Sequence, residues 1–243
     1  AGSLIKLIPD HVKVYILGVS KTRHAAWKFG LLLRKCKPNV IFATTERSIV
    51  LSIIGSFFLL RKCKLIARFP NTISKQKNAG LQVGWRYVAI KFGIRLCDVV
   101  ISQTELMSTD LINFMGVHKE KIKIIRNPVD TEYITSQVSN VKSPFDSDYI
   151  NIVASGRITK QKGFDDLINA FSLVVDKNKK YRLHILGEDK DNLTSSLNRQ
   201  AVTYGIQDYI TFYGQVDNPF VFYKYCDLFV LSSRWEGLPN VVL

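Results

Sequence analysis

The feature that most constrains the fold is an alternation of short apolar runs with helical patterns along the whole chain. In the first half, runs rich in Val and Ile are separated by segments with helical spacing. Apolar strands that alternate with helices are typical of a parallel sheet covered on both faces. The predicted strands of this half are 12–17, 39–44, 64–69, 98–102 and 121–125, and the predicted helices are 22–36, 47–60, 80–96 and 104–115.

A second alternation follows a break in the pattern. NPVD at 127–130 ends the first half, and the polar, Ser-rich segment 131–148 is predicted to be a linker. The sequence therefore predicts two doubly wound α/β domains, residues 1–130 and 149–243. The predicted strands of the second are 149–155, 181–186, 209–214 and 227–233. Its first helix has one apolar face, formed by Phe164, Leu167, Ile168, Phe171, Val174 and Val175.

Charge is distributed unevenly between the two halves. Residues 1–130 hold 22 Lys and Arg against 7 Asp and Glu, a net charge of +15, whereas residues 131–243 hold 12 against 13, a net charge of −1. This asymmetry predicts an anionic partner for the first half: nucleic acid, a phospholipid surface or a phosphorylated substrate. The 4 cysteines have neither metal-ligand nor redox spacing, which indicates reduced thiols in a reducing compartment.

In doubly wound folds ligands bind at the carboxyl ends of the strands. The loop after the strand 149–155 contains Gly156, which permits a close turn, and Arg157 and Lys162, which bracket the loop. A helix begins near Gly163, and its N-terminus offers unpaired N–H donors. Two cations beside such donors suit a diphosphate. The alternative is a pair of surface cations beside a helix start.

Three further loops lie at the same edge of the predicted sheet. Gly187 ends a strand and Glu188 follows it, while Gly214 ends the next strand. Glu236 lies in a turn between a strand and an apolar helix start, so its carboxylate is expected in the same cleft. Each of these features alone is generic, and Glu236 could equally be a capping carboxylate.

Together, the stretches resemble a known family. GRITKQKGFDDLINAF, HILGED, ITFYGQV and SSRWEGLPNVVL, in this order, look like the motifs of the retaining glycosyltransferases of family 4. DVVISQTELMSTDL and KIKIIRNPVD in the first half also resemble that family, so the resemblance covers nearly the whole chain. It implies the GT-B fold, in which two Rossmann-like doubly wound domains face a cleft, the first for the acceptor and the second for the donor.

The resemblance implies transfer of a sugar from a nucleotide diphosphate sugar to an acceptor hydroxyl, with retention and without a metal ion. Arg157 and Lys162 would stabilise the leaving diphosphate, and Glu236 would hold the donor sugar. The residues expected to bind the donor are Gly156, Gly187, Glu188, Gly214, Gln215, Val216, Gly237 and Leu238. Weaker candidates are Arg68 and Asn71 for the acceptor and Thr104 for the donor phosphates. Many members carry a histidine where this chain has Phe69, Pro70 and Asn71, so no histidine role is expected there.

The ends of the chain depart from the family pattern. The family signature is a Glu, seven residues and a second Glu that holds the donor ribose. Glu236 would be the first Glu and GLPNVVL the seven residues, so the second would follow Leu243 directly. Members also begin with a strand and a Gly-rich loop, which would precede the first residue here. The resemblance therefore predicts a chain truncated at both ends.

The resemblance also suggests where the enzyme works. Residues 61–95 combine cations with interleaved aromatics, which suits an anionic membrane surface, although a solvated basic face is the alternative. We expect a glycan or lipid-linked acceptor, a cytoplasmic location on the inner face of the cell membrane, and a role in capsule or lipopolysaccharide synthesis. The alternatives are a nucleotide-sugar epimerase or storage-polysaccharide synthase on the same fold, or a non-catalytic basic α/β protein that binds nucleic acid or a membrane. No nucleic-acid-binding motif is recognised.

Overall fold

The chain forms two compact units, Ala1–Ile125 and Arg126–Leu243, in a computed structural model. The structure describes residues 5, 8–19, 22–59, 63–78, 85–177 and 179–243. Within these ranges the side chains are described except at 22–23, 76–78, 85–86, 89 and 176–177. Arg61 and Lys62, which belong to the predicted basic segment, lie outside the described residues, as do the side chains of Lys77, Trp85 and Arg86.

The first unit is a four-stranded parallel sheet with the order β1-β2-β3-β4, and its strands are joined by helices. The strands are β1 Val40–Ala43, β2 Lys64–Arg68, β3 Val99–Ser102 and β4 Ile122–Ile124. The helices are α1 Thr22–Cys36, α2 Glu46–Ser56, α3 Ile73–Asn78, α4 Trp85–Gly93 and α5 Glu105–Asp110. A 3₁₀ turn extends α4 to Leu96, and a π-helical turn extends α5 to Met115.

The second unit is also a four-stranded parallel sheet, with the order β7-β6-β5-β8. Its strands are β5 Ile150–Ser155, β6 Tyr181–Leu186, β7 Ile210–Gly214 and β8 Leu228–Phe229. Its helices are α6 Thr131–Val138, α7 Phe164–Lys177, α8 Thr194–Thr203 and α9 Phe220–Tyr225. The predicted α/β class with two parallel sheets is confirmed.

The two units use the same device to fix neighbouring strands. In the first, Leu65 N donates to Asp98 Oδ2 (2.7 Å) and Asp98 N donates to Leu65 O (2.9 Å). In the second, Asn151 N donates to Asp227 Oδ2 (2.7 Å) and Asp227 N donates to Asn151 O (2.9 Å). These paired bonds join the amino ends of adjacent parallel strands and help to fix their register.

The two sheets differ in how far they are covered. In β5, the four consecutive residues 151–154 are buried, as expected for a strand covered on both faces. In β1, Ile41 and Ala43 are buried, but Val40 and Phe42 are 47% and 55% exposed. The prediction that both faces of each sheet are covered therefore holds at β5 but not at β1 among the described residues.

The predicted strand at residues 12–17 is wrong. Residues 13–19 are irregular, and the apolar Val12 and Ile16 are 46% and 72% exposed. The edge strand β1 pairs only with β2 in the part of the chain that the structure describes. An apolar run becomes a strand only when a neighbouring strand satisfies its backbone N–H and C=O groups, and this run has no such neighbour there.

Other elements follow the predicted pattern with shifted ends. The expected strand 227–233 is shorter, because regular pairing covers Leu228–Phe229 alone. On α7 the predicted apolar face is buried except at Val174, which is 39% exposed, because this residue lies at the margin of the stripe. The remaining five residues of that face belong to the hydrophobic core of the second unit.

The segment predicted as a linker, 131–148, contains α6 and packs on the second unit. Asn218 Nδ2 donates to Gln137 O (2.8 Å), and Lys224 Nζ donates to Val138 O (3.0 Å). Tyr225 Oη also donates to a backbone carbonyl of the segment, at Val141. Composition alone did not reveal these contacts, since the residues that hold the segment come from α9 and the loop before it.

A buried histidine lies beneath this segment. The ring of Phe145 lies 4.5 Å from the ring of His184, centroid to centroid. Nε2 of His184 is 3.0 Å from Asn151 Oδ1 and Nδ1 is 3.2 Å from Tyr213 Oη. Because the Asn151 amide nitrogen donates to two backbone carbonyls, its oxygen accepts from the imidazole N–H and the Tyr213 hydroxyl donates to Nδ1. Burial, reinforced by the charge of Arg182, lowers the pKa of His184 to about 4.

None of the helices formed by the described residues combines the length and the apolar character needed to cross a bilayer.

Candidate functional site

A cavity of about 260 Å³ lies at the carboxyl edge of the second sheet. It is formed by the loops that follow β5, β6 and β7, where a doubly wound fold places ligands. Its lining includes six of the residues predicted from the sequence: Gly156, Arg157, Gly187, Glu188, Gln215 and Val216. Ser155, Leu186 and Pro219 complete the lining.

Two glycines bring the first two loops into contact. Gly156 and Gly187 have φ of +152° and +147°, a region that side chains disfavour. A Cβ on Gly187 would overlap the carbonyl oxygen of Gly156. The backbone bond from Ile158 N to Glu188 O (2.8 Å) joins the same loops. Glycine at 187 is therefore required by a close approach of backbone to backbone, which forms the floor of the cavity.

Arg157 provides the cation of this cavity. Its side chain is exposed, and within the described residues it has no hydrogen-bond or ion-pair partner. Glu188 lies on the opposite loop and forms an exposed ion pair with Lys190 (3.4 Å). The guanidinium of Arg157 can therefore turn toward an anion in the cavity without breaking an ion pair.

A second cation, Lys162, lies beside the cavity in an ion pair with Glu236. The distance from Lys162 Nζ to Glu236 Oε1 is 2.7 Å, and the two side chains are 15% and 18% exposed. A Cβ on Gly156 would lie 3.2 Å from Lys162 Nζ, so the ammonium is against the first loop of the cavity. The structure thus brings together Gly156, Lys162 and Glu236, which are up to 80 positions apart in sequence. Gly156 directly precedes Arg157 in the chain.

Two backbone segments, 160–166 and 232–236, hold this ion pair. Ser232 Oγ donates to Lys162 O (2.8 Å), and Gln161 Nε2 donates to Trp235 O (2.9 Å). Gly163, in the left-handed region at φ +62°, lies so close to Ser232 O that a Cβ would overlap it. The turn that carries Lys162 and the turn that carries Glu236 are therefore bound directly to each other.

The N-terminus of α7 is less open than the sequence suggested. The Asp165 carboxylate lies beside the backbone N–H groups of Asp165 and Asp166, which were expected to face a diphosphate. The hydrogen bond from Arg234 is the largest influence on Asp165 and lowers the pKa of its carboxyl, and these amides act in the same direction. The first-turn carboxylates thus stabilise the helix start, and the side chains of Arg157 and Lys162 are the cations nearest the loop of Gly156.

Three of the predicted donor residues do not line the cavity. Gly214 contacts it indirectly, because its carbonyl accepts from Gly187 N (2.7 Å). Gly237 and Leu238 lie in the turn after Glu236 and are partly buried. Conversely, the hydrogen bond from Tyr223 Oη to Ser155 Oγ (2.7 Å), which joins α9 to the wall of the cavity, was not predicted from the sequence. The strand-end position of Ser155 was the only signal for it.

In the first unit, the predicted acceptor residues lie at the carboxyl end of β2 and in the loop after it. Arg68 is its last residue and Asn71 lies in the loop toward α3, and both are partly buried. Thr104 is the N-cap of α5, where its hydroxyl accepts from Met107 N (3.2 Å). Helix capping therefore explains the threonine at position 104 without a role in binding the donor phosphates.

Within the described residues, no group of three or more His, Cys, Asp or Glu side chains is arranged to hold a metal ion.

The architecture matches that of a solved structure. HepE from Anabaena, solved in complex with UDP and glucose, aligns with a TM-score of 0.73 and 18% identity, covering 99% of this chain and 61% of that protein. At this identity the similarity shows the fold, which is the GT-B fold of glycosyltransferases.

Family profiles agree with the fold. Residues 8–133 match the family described as "Glycosyltransferase Family 4", and residues 136–243 match "Glycosyl transferases group 1". The first match alone covers more than half of the chain. The chain therefore belongs to the family 4 glycosyltransferases, as the motifs predicted.

Two curated relatives extend the comparison. The uncharacterized glycosyltransferase MJ1059 of Methanocaldococcus jannaschii is 27% identical, covering 96% of this chain and 62% of that protein. The capsular polysaccharide biosynthesis glycosyltransferase CapM of Staphylococcus aureus is 22% identical, covering 88% of this chain and 57% of that protein. The chain therefore spans less than two thirds of the length of these relatives.

Proposed function

We propose that this chain carries the donor site of a retaining hexosyltransferase, which moves a sugar from a nucleotide diphosphate sugar to an acceptor hydroxyl. The observation that carries the proposal is the cavity at the carboxyl edge of the second sheet, with Arg157 in its lining and the Lys162–Glu236 pair beside it. The cavity suits part of a nucleotide, and the two cations suit its diphosphate.

The chemistry follows from where charge develops. As the bond between the sugar and the diphosphate breaks, negative charge grows on the diphosphate oxygens. Arg157 and Lys162 stabilise that charge, and each preorganised donor of this kind contributes roughly 2.7–4 kcal/mol to the lowering of the barrier. Glu236 accepts hydrogen bonds from the sugar hydroxyls and keeps the ring in place. The acceptor hydroxyl then bonds to the anomeric carbon on the face that the diphosphate leaves, and its proton passes to an oxygen of the departing diphosphate, so the configuration is retained.

The remaining cavity residues would hold the nucleoside. Glu188, Gln215 and Val216 offer a carboxylate, an amide and an apolar contact on the loops after β6 and β7. HepE, which has the same fold, was solved with UDP and glucose, so UDP is the first nucleotide to test. Metal independence is part of the proposal: a chelator such as EDTA should leave nucleotide binding and transfer unchanged.

The acceptor is proposed from the first unit and from the relatives. CapM acts in capsular polysaccharide biosynthesis, and the first 130 residues here carry a net charge of +15. A glycan or lipid-linked acceptor of a cell-envelope polysaccharide, such as capsule or lipopolysaccharide, is consistent with both observations. Arg68, the last residue of β2, and Asn71, in the loop after it, are the proposed acceptor contacts.

A cytoplasmic enzyme that docks on the inner face of the cell membrane would fit such an acceptor. Around α4, Phe92 and Leu96 are 64% and 58% exposed, next to the cations Lys91 and Arg95. Exposed aromatics beside cations bind anionic interfaces. Co-sedimentation with vesicles that contain phosphatidylglycerol should exceed that with neutral phosphatidylcholine vesicles, and Phe92→Ser should reduce it. Equal sedimentation with both vesicle types would remove the membrane from the proposal.

Calorimetric titration with UDP, GDP and ADP tests the donor site. We expect one of them to bind, and Arg157→Ala/Lys162→Ala to weaken that binding by at least about 100-fold, because hydrogen bonds to charged groups contribute about 1.5–3 kcal/mol each. Arg199→Ala/Lys224→Ala removes one Arg and one Lys elsewhere in the same unit and should leave the affinity unchanged. Equal losses in the two double variants would refute the site.

A further inference from the structure

We infer that Arg234 is a positioning residue, which fixes the turn that carries Lys162 relative to the turn that carries Glu236. The inference rests on the proposed function, since it concerns the geometry of the proposed diphosphate site. Arg234 lies two residues before Glu236, does not line the cavity and is not among the site residues predicted from the sequence motifs.

Arg234 binds the backbone on the N-terminal side of Lys162. Its own N–H donates to Gln161 O at 2.8 Å. Its Nη1 donates to Lys160 O at 2.6 Å. The two carbonyls immediately before Lys162 are therefore held by one residue of the opposite segment.

Arg234 also binds the helix that begins on the other side of Lys162. Its Nη2 lies 2.7 Å from Asp165 Oδ2 and 2.7 Å from Asp166 Oδ2, in the first turn of α7. The Arg234 side chain is 33% exposed, whereas the side chains of Asp165 and Asp166 are 51% and 67% exposed. One side chain thus spans the Lys162 turn from residue 160 to residue 166.

Diphosphate binding by Lys162 requires a fixed conformation of the turn that carries this residue. Lys162 reaches the loop of Gly156 only through this short turn, and Gly163 allows the turn by adopting a left-handed conformation. The neutral bonds from Ser232 and Gln161 join the segments, but each of them engages a single carbonyl. Only Arg234 bonds to both sides of Lys162 among the described contacts between the two segments.

The guanidinium geometry matters as well as its charge. Arginine presents separate N–H groups in a planar fork, so Nη1 can serve a carbonyl while Nη2 serves two carboxylates. Lysine has a compact ammonium and cannot reach both at once. Arg234→Lys therefore keeps the charge and removes the bridge, which separates positioning from electrostatics.

Arg182 offers a matched control in the same unit. Its Nη1 donates to Lys179 O and Tyr181 O, and its guanidinium packs over Tyr149 and Tyr209. It therefore combines backbone bonds with packing, as Arg234 does, but at the amino end of β6, opposite the cavity. Arg182→Lys should cost stability without affecting the proposed site.

The first test measures amide hydrogen exchange in peptides covering 156–166 and 232–238, in the unaltered chain, Arg234→Lys and Arg182→Lys. We expect faster exchange in both peptides for Arg234→Lys and no change there for Arg182→Lys. Unchanged exchange in Arg234→Lys, or equal acceleration in both variants, would overturn the inference. Hydrogen exchange needs no ligand, so it tests the positioning role of Arg234 even if no nucleotide binds the unaltered chain. An absence of nucleotide binding would instead count against the proposed function.

The second test is a double-mutant cycle on the affinity for the nucleoside diphosphate that binds the unaltered chain. Arg234→Lys should weaken binding about tenfold, since small misplacements of a binding group have effects of this order or larger. In a Lys162→Ala background the same change should have an effect of less than about twofold, because Arg234 acts through Lys162. A full tenfold loss in that background would show an independent effect and contradict the inference.

Discussion

Replacing Glu236 by Gln should strengthen the binding of a free nucleoside diphosphate while impairing sugar transfer. Lys162 Nζ lies 2.7 Å from Glu236 Oε1, so a diphosphate that recruits this ammonium has to compete with the carboxylate. The carboxylate also repels the incoming anion. Gln keeps the shape of the side chain but removes both effects, because its amide oxygen attracts the ammonium only weakly.

The magnitude follows from the burial of the pair. Fully exposed ion pairs contribute about 0–1 kcal/mol, and hydrogen bonds to charged groups about 1.5–3 kcal/mol. The two side chains are 15% and 18% exposed, which places the pair between these classes at about 1–2 kcal/mol. Because 1.4 kcal/mol corresponds to a factor of ten, the diphosphate should bind about 5- to 30-fold more tightly. The gain should shrink as ionic strength rises.

Calorimetric titration of the unaltered chain, Glu236→Gln and Glu120→Gln measures this effect. Glu120→Gln makes the same change of net charge in the first unit and should leave the affinity unchanged. In a Lys162→Ala background, Glu236→Gln should gain less, because only the direct repulsion remains. Weaker or unchanged diphosphate binding in Glu236→Gln would refute the reasoning that the ion pair competes with the ligand.

Three further outcomes are expected from unfolding measurements in urea. Gly187→Ala should destabilise the chain by at least about 2 kcal/mol, because φ is +147° and the new Cβ would overlap Gly156 O; a loss below about 0.5 kcal/mol would contradict this contact. Arg234 lowers the pKa of Asp165, so the ionised carboxylate contributes to the free energy of unfolding above the ordinary carboxyl pKa. This contribution is lost as the pH falls through the lower pKa of the folded state. Asp165→Asn should therefore reduce the loss of stability on the acid side of the pH profile. His184 has a pKa of about 4 in the folded chain and takes up a proton more readily when unfolded, so the free energy of unfolding should fall from about pH 6.5 toward pH 4. His184→Gln should reduce the difference in the free energy of unfolding between pH 7 and pH 5. An unchanged difference would refute this role of His184.

Local pattern was sufficient for most of the strands and helices. The apolar face of α7 and the strands β5 and β6 could be predicted because each buries a continuous set of residues against its own unit. The segment 12–17 has the same apolar character but forms no strand. Strand pairing depends on two segments, so the sequence of one segment alone does not predict it.

The candidate site was predictable in its residues but not in its contacts. Strand-end glycines and the cations of the loop after β5 indicated Gly156, Arg157 and Lys162. The ion pair between Lys162 and Glu236 joins positions 74 residues apart, and no periodicity links them. The same holds for Arg234, whose partners are Lys160, Gln161, Asp165 and Asp166.

A crystal structure of this chain with the nucleoside diphosphate that binds most tightly would test the central claim most directly. We predict diphosphate oxygens within hydrogen-bond distance of Arg157 and Lys162, with the nucleoside against Glu188 and Gln215 in the cavity at the carboxyl edge of the second sheet. A nucleotide bound on another face, or one in this cavity whose phosphates contact neither cation, would contradict the account.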